Sequence, residues 1–210
     1  VSLMRGPQGE DITLTIGRGD AEFEVYIIRD IINVVSVEEP MLVEDGIGYI
    51  KITNFSNRTF SEMKAALEWL DAQNVEGILI DLRFNPGGTL NAAIEVADLF
   101  LAHGALLYVE DRDGNRLPYM ASALGTRDPM PMAVLINGSS ASASEILAGA
   151  LQDNDLAVLM GTKTFGKGLI QSLHSLRDGS ALTVTEQAYL TSGGRNINTL
   201  GIEPDIEIII

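Results

Sequence analysis

Apolar positions along the chain follow two different periods. Near the start they recur every second residue, in Asp11-Ile-Thr-Leu-Thr-Ile16 and again in Glu22-Phe-Glu-Val-Tyr-Ile27. That is the pattern of strands with one solvated face. Gly17-Arg-Gly-Asp20 supplies a turn between them, so residues 1–31 are expected to form a β-hairpin. Residues 32–45 read as a connector ending in a turn at Glu44-Asp-Gly46. From Gly48 onward short apolar runs at 48–53, 78–82 and 133–136 predict strands, and the segments between them carry helical spacing. In the first such segment Phe60, Met63, Leu67 and Leu70 share one face. Thr59 and Glu62 have the spacing of a capping box, and Asn74 can end the helix. Trp69 lies off that stripe and is expected to pack rather than bind. A second helix is expected from Leu90 to Ala102, stopped by Gly104. Residues 110–130, with Gly114, Pro118, Gly125 and Pro129, read as a loop-rich excursion. Strands alternating with helices make residues 32–210 an α/β domain.

The densest chemistry lies between Asn137 and Gln171. NGSSASASEILAGALQDN places Ser139, Ser140, Ser142 and Ser144 at the start of a helix, with small alanines between them. Taken alone, Ser142 and Glu145 are a capping box and need no chemistry. A helix amino end also favours developing negative charge. A serine becomes a nucleophile only when a base takes its proton. With no cysteine and only two histidines, neither in a triad-like order, the best base is Lys167 in Thr-Phe-Gly166-Lys167-Gly168. Phe165, Leu169 and Ile170 around it are expected to form apolar surroundings that favour the neutral amine a base must present. The stretch from Gly161 to Gly168 nearly spells a phosphate-binding loop, but glycine replaces the final hydroxyl residue. A strand-like alternation follows it where a helix would have to start. Nucleotide binding is therefore not expected.

A second turn, Asp81-Leu-Arg-Phe-Asn85-Pro86-Gly87-Gly88, precedes the second helix. Glycine there frees backbone amides to point at a ligand, while Asp81 and Arg83 are expected to pin the turn. Composition narrows the reading further. Fourteen basic against 29 acidic residues leave a net charge of −15, which disfavours nucleic acid as a partner. His103 and His174 read as incidental, and no metal-ligand spacing occurs. No run is long enough to cross a membrane as a helix. The chain opens at Val1, in mid-element, which predicts sequence upstream.

GSSASASEILAGALQDN followed by GTKTFGKGLIQ resembles the signature of the carboxyl-terminal processing, or tail-specific, proteases. The resemblance implies a crotonase- or ClpP-like core and a serine–lysine endopeptidase without cofactor, acting on polypeptide tails or unfolded segments. It makes Ser142 the nucleophile, Lys167 the base and Gln171 the residue that orients the lysine. Gly88 and the amide of Ala143 would form the oxyanion hole, with Gly87 and Asp153 as supporting residues. The residues alone did not choose Ser142 over Ser140 or Ser144; the resemblance does. It also makes residues 1–31 the end of a PDZ-like domain, residues 32–210 the protease core, and an extracytoplasmic setting the expected one. Two rivals share the architecture: a non-catalytic module like the retinoid-binding repeats, and a crotonase-type acyl-CoA enzyme. Intact Ser142, Lys167 and Gln171 argue against the former.

Overall fold

The computed structural model describes residues 3–32, 34–44, 46–123 and 126–209. Val1 and Ser2 of the expected PDZ-like tail, Asp45 of the expected turn and Gly125 of the expected excursion lie outside the described residues. The chain divides into two compact units, Val1–Val34 and Val35–Ile210.

The first unit is the expected hairpin. Strand β1 (Asp11–Arg18) runs antiparallel to β2 (Ala21–Ile28), in register from Asp11 opposite Ile28 to Arg18 opposite Ala21. Pairing therefore continues through Gly17 and Arg18, and only Gly19-Asp20 turns. Arg29 closes the base, its guanidinium donating to the carbonyls of Met4 and Asp11.

The second unit begins with β3 (Met41–Glu44), β4 (Ile47–Lys51), α1 (Thr59–Ala72), β5 (Gly77–Asp81) and α2 (Leu90–Asp98). The hairpin β6 (Ala105–Asp111) and β7 (Arg116–Met120) comes next, then β8 (Met132–Ile136), α3 (Ala143–Asp153) and β9 (Val158–Gly161). The chain finishes with β10 (Leu169–Ser175), β11 (Ala181–Thr191) and β12 (Ile206–Glu207). A six-stranded sheet has the order β12-β9-β8-β5-β4-β3, parallel except for the β3–β4 edge. A four-stranded antiparallel sheet has the order β10-β11-β6-β7. The parallel strands carry Ile50, Ile80, Val134, Ile136 and Leu159 fully buried, as strands covered on both faces require. Helix α3 touches β9 as well as β6 and β11, and its residues 143–151 are all buried. A helix apolar on every side has to sit between layers.

Several expectations are corrected. Residues 41–44 pair as β3 instead of forming a plain connector; they are exposed, so burial leaves no trace in their pattern. The excursion at 110–130 contains a hairpin, with Leu106, Leu107 and Val109 buried on β6. Pro118 is tolerated because β7 is an edge strand, where a missing amide leaves no ladder bond broken. Helix α2 stops at Asp98, short of Ala102. Glu62 does not cap α1: its carboxylate accepts from the Ser36 and Val37 amides and the Ser36 hydroxyl, while Thr59 donates to Ser36. Trp69 stands on the surface, 41% exposed. Asn74 ends α1 with φ of 56°, as expected of a left-handed terminator.

Asp81 closes β5 and sets the turn that follows. Its buried carboxylate accepts from the Arg83 amide and guanidinium and from the Tyr49 hydroxyl at 2.7 Å. Burial alone would raise this carboxyl, but the bonds from Arg83 and Tyr49 outweigh it and hold the group below the usual carboxylate range. Tyr49 in turn is pushed up to about 12, first by burial and then by its bond to Asp81. A depressed carboxyl stabilises the fold above its unfolded pKa, and that contribution fades as pH falls through the folded value. Asp81→Asn should therefore cost about 2–4 kcal/mol in urea unfolding at pH 7. The gap from wild type should narrow in acid as Asp81 itself takes up a proton; a gap constant with pH would contradict this account.

Candidate active site

The parallel sheet delivers two turns to the same place. After β5, residues 82–89 form one; after β8, residues 137–142 form the other. Asn137 ties them together, its side-chain oxygen accepting the amides of Phe84 and Ser139, each at 3.0 Å. Fully buried Asn85 does the same from the other side. Its side-chain amide donates to the Ile52 carbonyl, its side-chain oxygen accepts the Gly87 amide, and its own carbonyl accepts the Ala141 amide and the Ser144 hydroxyl.

These bonds separate the serines. Ser140 and Ser144 are fully buried, and their hydroxyls donate to the carbonyls of Leu82 (2.8 Å) and Asn85 (3.0 Å). Both are spoken for as structural groups. Ser142 is half-buried at the N-cap of α3, with φ of 57° and ψ of −115°. A non-glycine residue held there costs on the order of 1–3 kcal/mol, and such outliers gather at functional sites.

The two glycines have distinct duties. Gly87, with φ of 96°, packs so close to the Ser142 turn that a Cβ would lie 2.9 Å from the Ala143 nitrogen and 2.6 Å from the Ala141 oxygen. Gly88, with φ of 155°, would drive a Cβ to 1.9 Å from the Phe55 oxygen. The Gly87 amide is occupied by Asn85. Gly88 and Ala143, by contrast, have amides that donate to no described group.

One cavity of about 270 Å³ is lined by Gly88, Leu90, Ser142, Ile146, Lys167, Leu169, Ile170, Gln171 and Tyr189. Ser142, Lys167, Gln171 and Gly88 thus come together from three separate segments. The surroundings of the lysine differ from expectation: Lys167 is exposed, and so are Phe165 at 65% and Leu169 at 38%. Apolar neighbours in sequence do not bury the amine, because the segment runs along the surface with its backbone turned inward. The Gln171 side-chain amide donates to Thr185 at 3.4 Å, with a β-bulge between Ile170 and Gln171. Asp153 stands at the far end of α3, roughly 16 Å from Ser142 at about 1.5 Å per residue. There it holds the Gly193 amide at 2.6 Å and forms an ion pair with Arg195.

Glu145 is the functional residue that sequence reasoning reduced to a cap. It is fully buried. One carboxylate oxygen accepts the amides of Ser142 (2.8 Å) and Lys167 (2.9 Å); the other accepts the Thr164 hydroxyl (2.6 Å) and the Gly166 amide (2.7 Å). The signal available was an acidic residue inside an otherwise apolar helix. Neither His103 nor His174 lines the cavity, and His174 pairs with Glu186. Among the described residues no group of His, Asp and Glu is placed to hold a metal ion.

Residues 46–208 match peptidase family S41. The carboxy-terminal-processing protease of Bartonella bacilliformis is 43% identical, over 99% of this chain and 49% of its own length. The carboxyl-terminal-processing protease of Synechocystis sp. is 41% identical, over 96% of this chain and 48% of its own length. Among solved structures, the photosystem II D1 C-terminal processing protease superposes with a TM-score of 0.77 at 31% identity, covering 97% of this chain and 57% of that one. The chain spans about half the length of the curated relatives it matches. With a mixed α/β core of that shape and the match extending over most of its length, the chain belongs to peptidase family S41.

Proposed function

We propose that the chain carries the active site of a serine endopeptidase that hydrolyses polypeptide tails or unfolded segments. The observation that carries the reading is the single cavity lined by Ser142, Lys167, Gln171 and Gly88. Lys167 takes the Ser142 hydroxyl proton as Oγ attacks the scissile carbonyl. The Gly88 and Ala143 amides, which have no acceptor among the described residues, receive the oxyanion. The lysine then returns the proton to the leaving amine, and water releases the acyl group by the same route in reverse. Gln171 holds the lysine once substrate is in place, and Asp153 supports the site through the turn at 191–195. Because Lys167 is exposed in the free chain, a bound segment is what excludes water from it. The core is read as crotonase- or ClpP-like, and residues 1–31 as the closing strands of a PDZ-like domain. An extracytoplasmic setting fits the reading; no described helix is long and apolar enough to cross a membrane.

Ser142→Ala and Lys167→Ala should each abolish cleavage of an unfolded protein while leaving the unfolding temperature intact, since groups acting as one unit fail singly. Cleavage surviving in Ser142→Ala but lost in Ser144→Ala would overturn the assignment. The labelling rate of Ser142 by a fluorophosphonate should keep the same pH profile when His103 and His174 are both replaced, because neither lines the cavity. A profile that collapses in the double variant identifies a histidine base instead.

Glu145→Gln keeps the shape but turns a donor toward two of four donors. Stability should fall by about 2–4 kcal/mol, because buried amides lose their acceptor. Cleavage should fall by roughly 100-fold or more as Ser142 and Lys167 lose their common anchor. Unfolding and turnover measured on the same sample check both, and full activity would remove Glu145 from the site.

A further inference from the structure

Tyr189 is the one polar side chain of the cavity wall to which the reaction above gives no task. It lies on β11, is 3% exposed, and its amide donates at 3.0 Å to the carbonyl of Gly168, the residue after Lys167. Its hydroxyl oxygen is sealed from solvent and has no hydrogen-bond partner among the described residues. Buried hydroxyls are nearly always paired, and leaving one unpaired destabilises a fold. Removing that oxygen would relieve the cost, so its presence at a cavity holding Ser142 and Lys167 calls for a use. The polar groups that bear on it are those of the site. Burial and then the charge of Glu145 push its ionisation upward, and the Ser142 hydroxyl offsets part of that. The phenol consequently stays protonated and keeps a proton to donate. Ser142 lines the same cavity, and its oxygen is the side-chain acceptor that bears on the phenol.

We infer that the Tyr189 hydroxyl is a further catalytic group of this site, a buried donor held for the Ser142 Oγ whenever that oxygen carries negative charge. The inference rests on the serine–lysine reading above. Charge gathers on Oγ twice. On attack, the Oγ–H bond breaks toward the Lys167 nitrogen while the Oγ–carbon bond forms. On deacylation, water passes a proton to Lys167 as its oxygen bonds the acyl carbon, the Oγ–carbon bond then breaks, and Lys167 returns the proton to Oγ. Tyr189 keeps its own proton throughout and lowers the barrier by hydrogen bonding alone. A donor paired only in those states adds to turnover and nothing to ground-state binding.

Tyr189→Phe removes one oxygen and nothing else. In the full-length protein it should lower kcat, and the fluorophosphonate labelling rate of Ser142, by about 10- to 100-fold with KM changed by less than about threefold. The unfolding temperature should stay level or rise, because an unpaired buried hydroxyl is gone. A structural hydroxyl would give the opposite, a lowered unfolding temperature with activity lost in proportion, and that outcome overturns the inference. So does an unchanged labelling rate. Ser142→Ala measured alongside separates the two claims: labelling that persists there, or a wild type that does not label, sinks the serine–lysine reading and this one with it. Labelling lost in Ser142→Ala but kept in Tyr189→Phe sinks this one alone.

Discussion

The buried carboxylate of Glu145 joins the two halves of the site. An ionised carboxylate taken out of water is costly unless its lone pairs are met. Among the described residues no cation meets them. Three backbone amides and one hydroxyl do, two from the α3 turn side and the loop beyond it on one oxygen, two from the loop on the other. The start of a helix is also the place where a negative charge is best tolerated. One side chain thereby fixes the Ser142 amide and the Lys167 amide to the same oxygen. A shorter acid could not span from the third helical position to both. Everything else in the site is arranged relative to that carboxylate.

The second constraint is steric. Helix α3 is buried on all sides, so it can neither tilt nor slide without disturbing both sheets. Its rigid start leaves Ser142 in a strained conformation, and the Asn85–Gly88 turn must approach within contact of that backbone. Only glycine can stand at 87 and 88, where any side chain would collide with Ala143 or Phe55. Gly87 then spends its amide on Asn85 and Gly88 does not. This difference in pairing, which the shared sequence Gly-Gly conceals, is what favours Gly88 over Gly87 in the proposed oxyanion hole.

Most of the parallel core was legible because burial on both faces writes continuous apolar runs, and α1 because one buried face writes a stripe. What escaped lies at edges. β3 is exposed, and Pro118 reads as a breaker although an edge strand accommodates it. The surroundings of Lys167 differ for a related reason: Phe165 and Leu169 flank it in sequence, yet both are exposed and do not enclose it. Sequence adjacency reports composition and not burial. The capping box at Thr59 and Glu62 failed because Ser36, distant in sequence, offered Glu62 better donors. At Ser142 and Glu145 the same motif kept its return bond and took on three further partners. Tyr189 could not be singled out at all, since an unpaired hydroxyl is visible only once its neighbours are known.

The site's groups are the ones left incomplete. Gly88, Tyr189, the strained Ser142 and the exposed Lys167 border one cavity, and the Ala143 amide follows directly after Ser142. Elsewhere in the same turns the side chains of Asn85, Ser140, Ser144 and Glu145 and the side-chain oxygen of Asn137 are paired. A fold that satisfies the frame and leaves the centre unsatisfied keeps its donors in position in advance of the reaction. No rearrangement is then needed as charge develops, which is the condition under which fixed donors stabilise a transition state most. The cost falls on stability, and the dense pairing of the frame is what allows the chain to carry it.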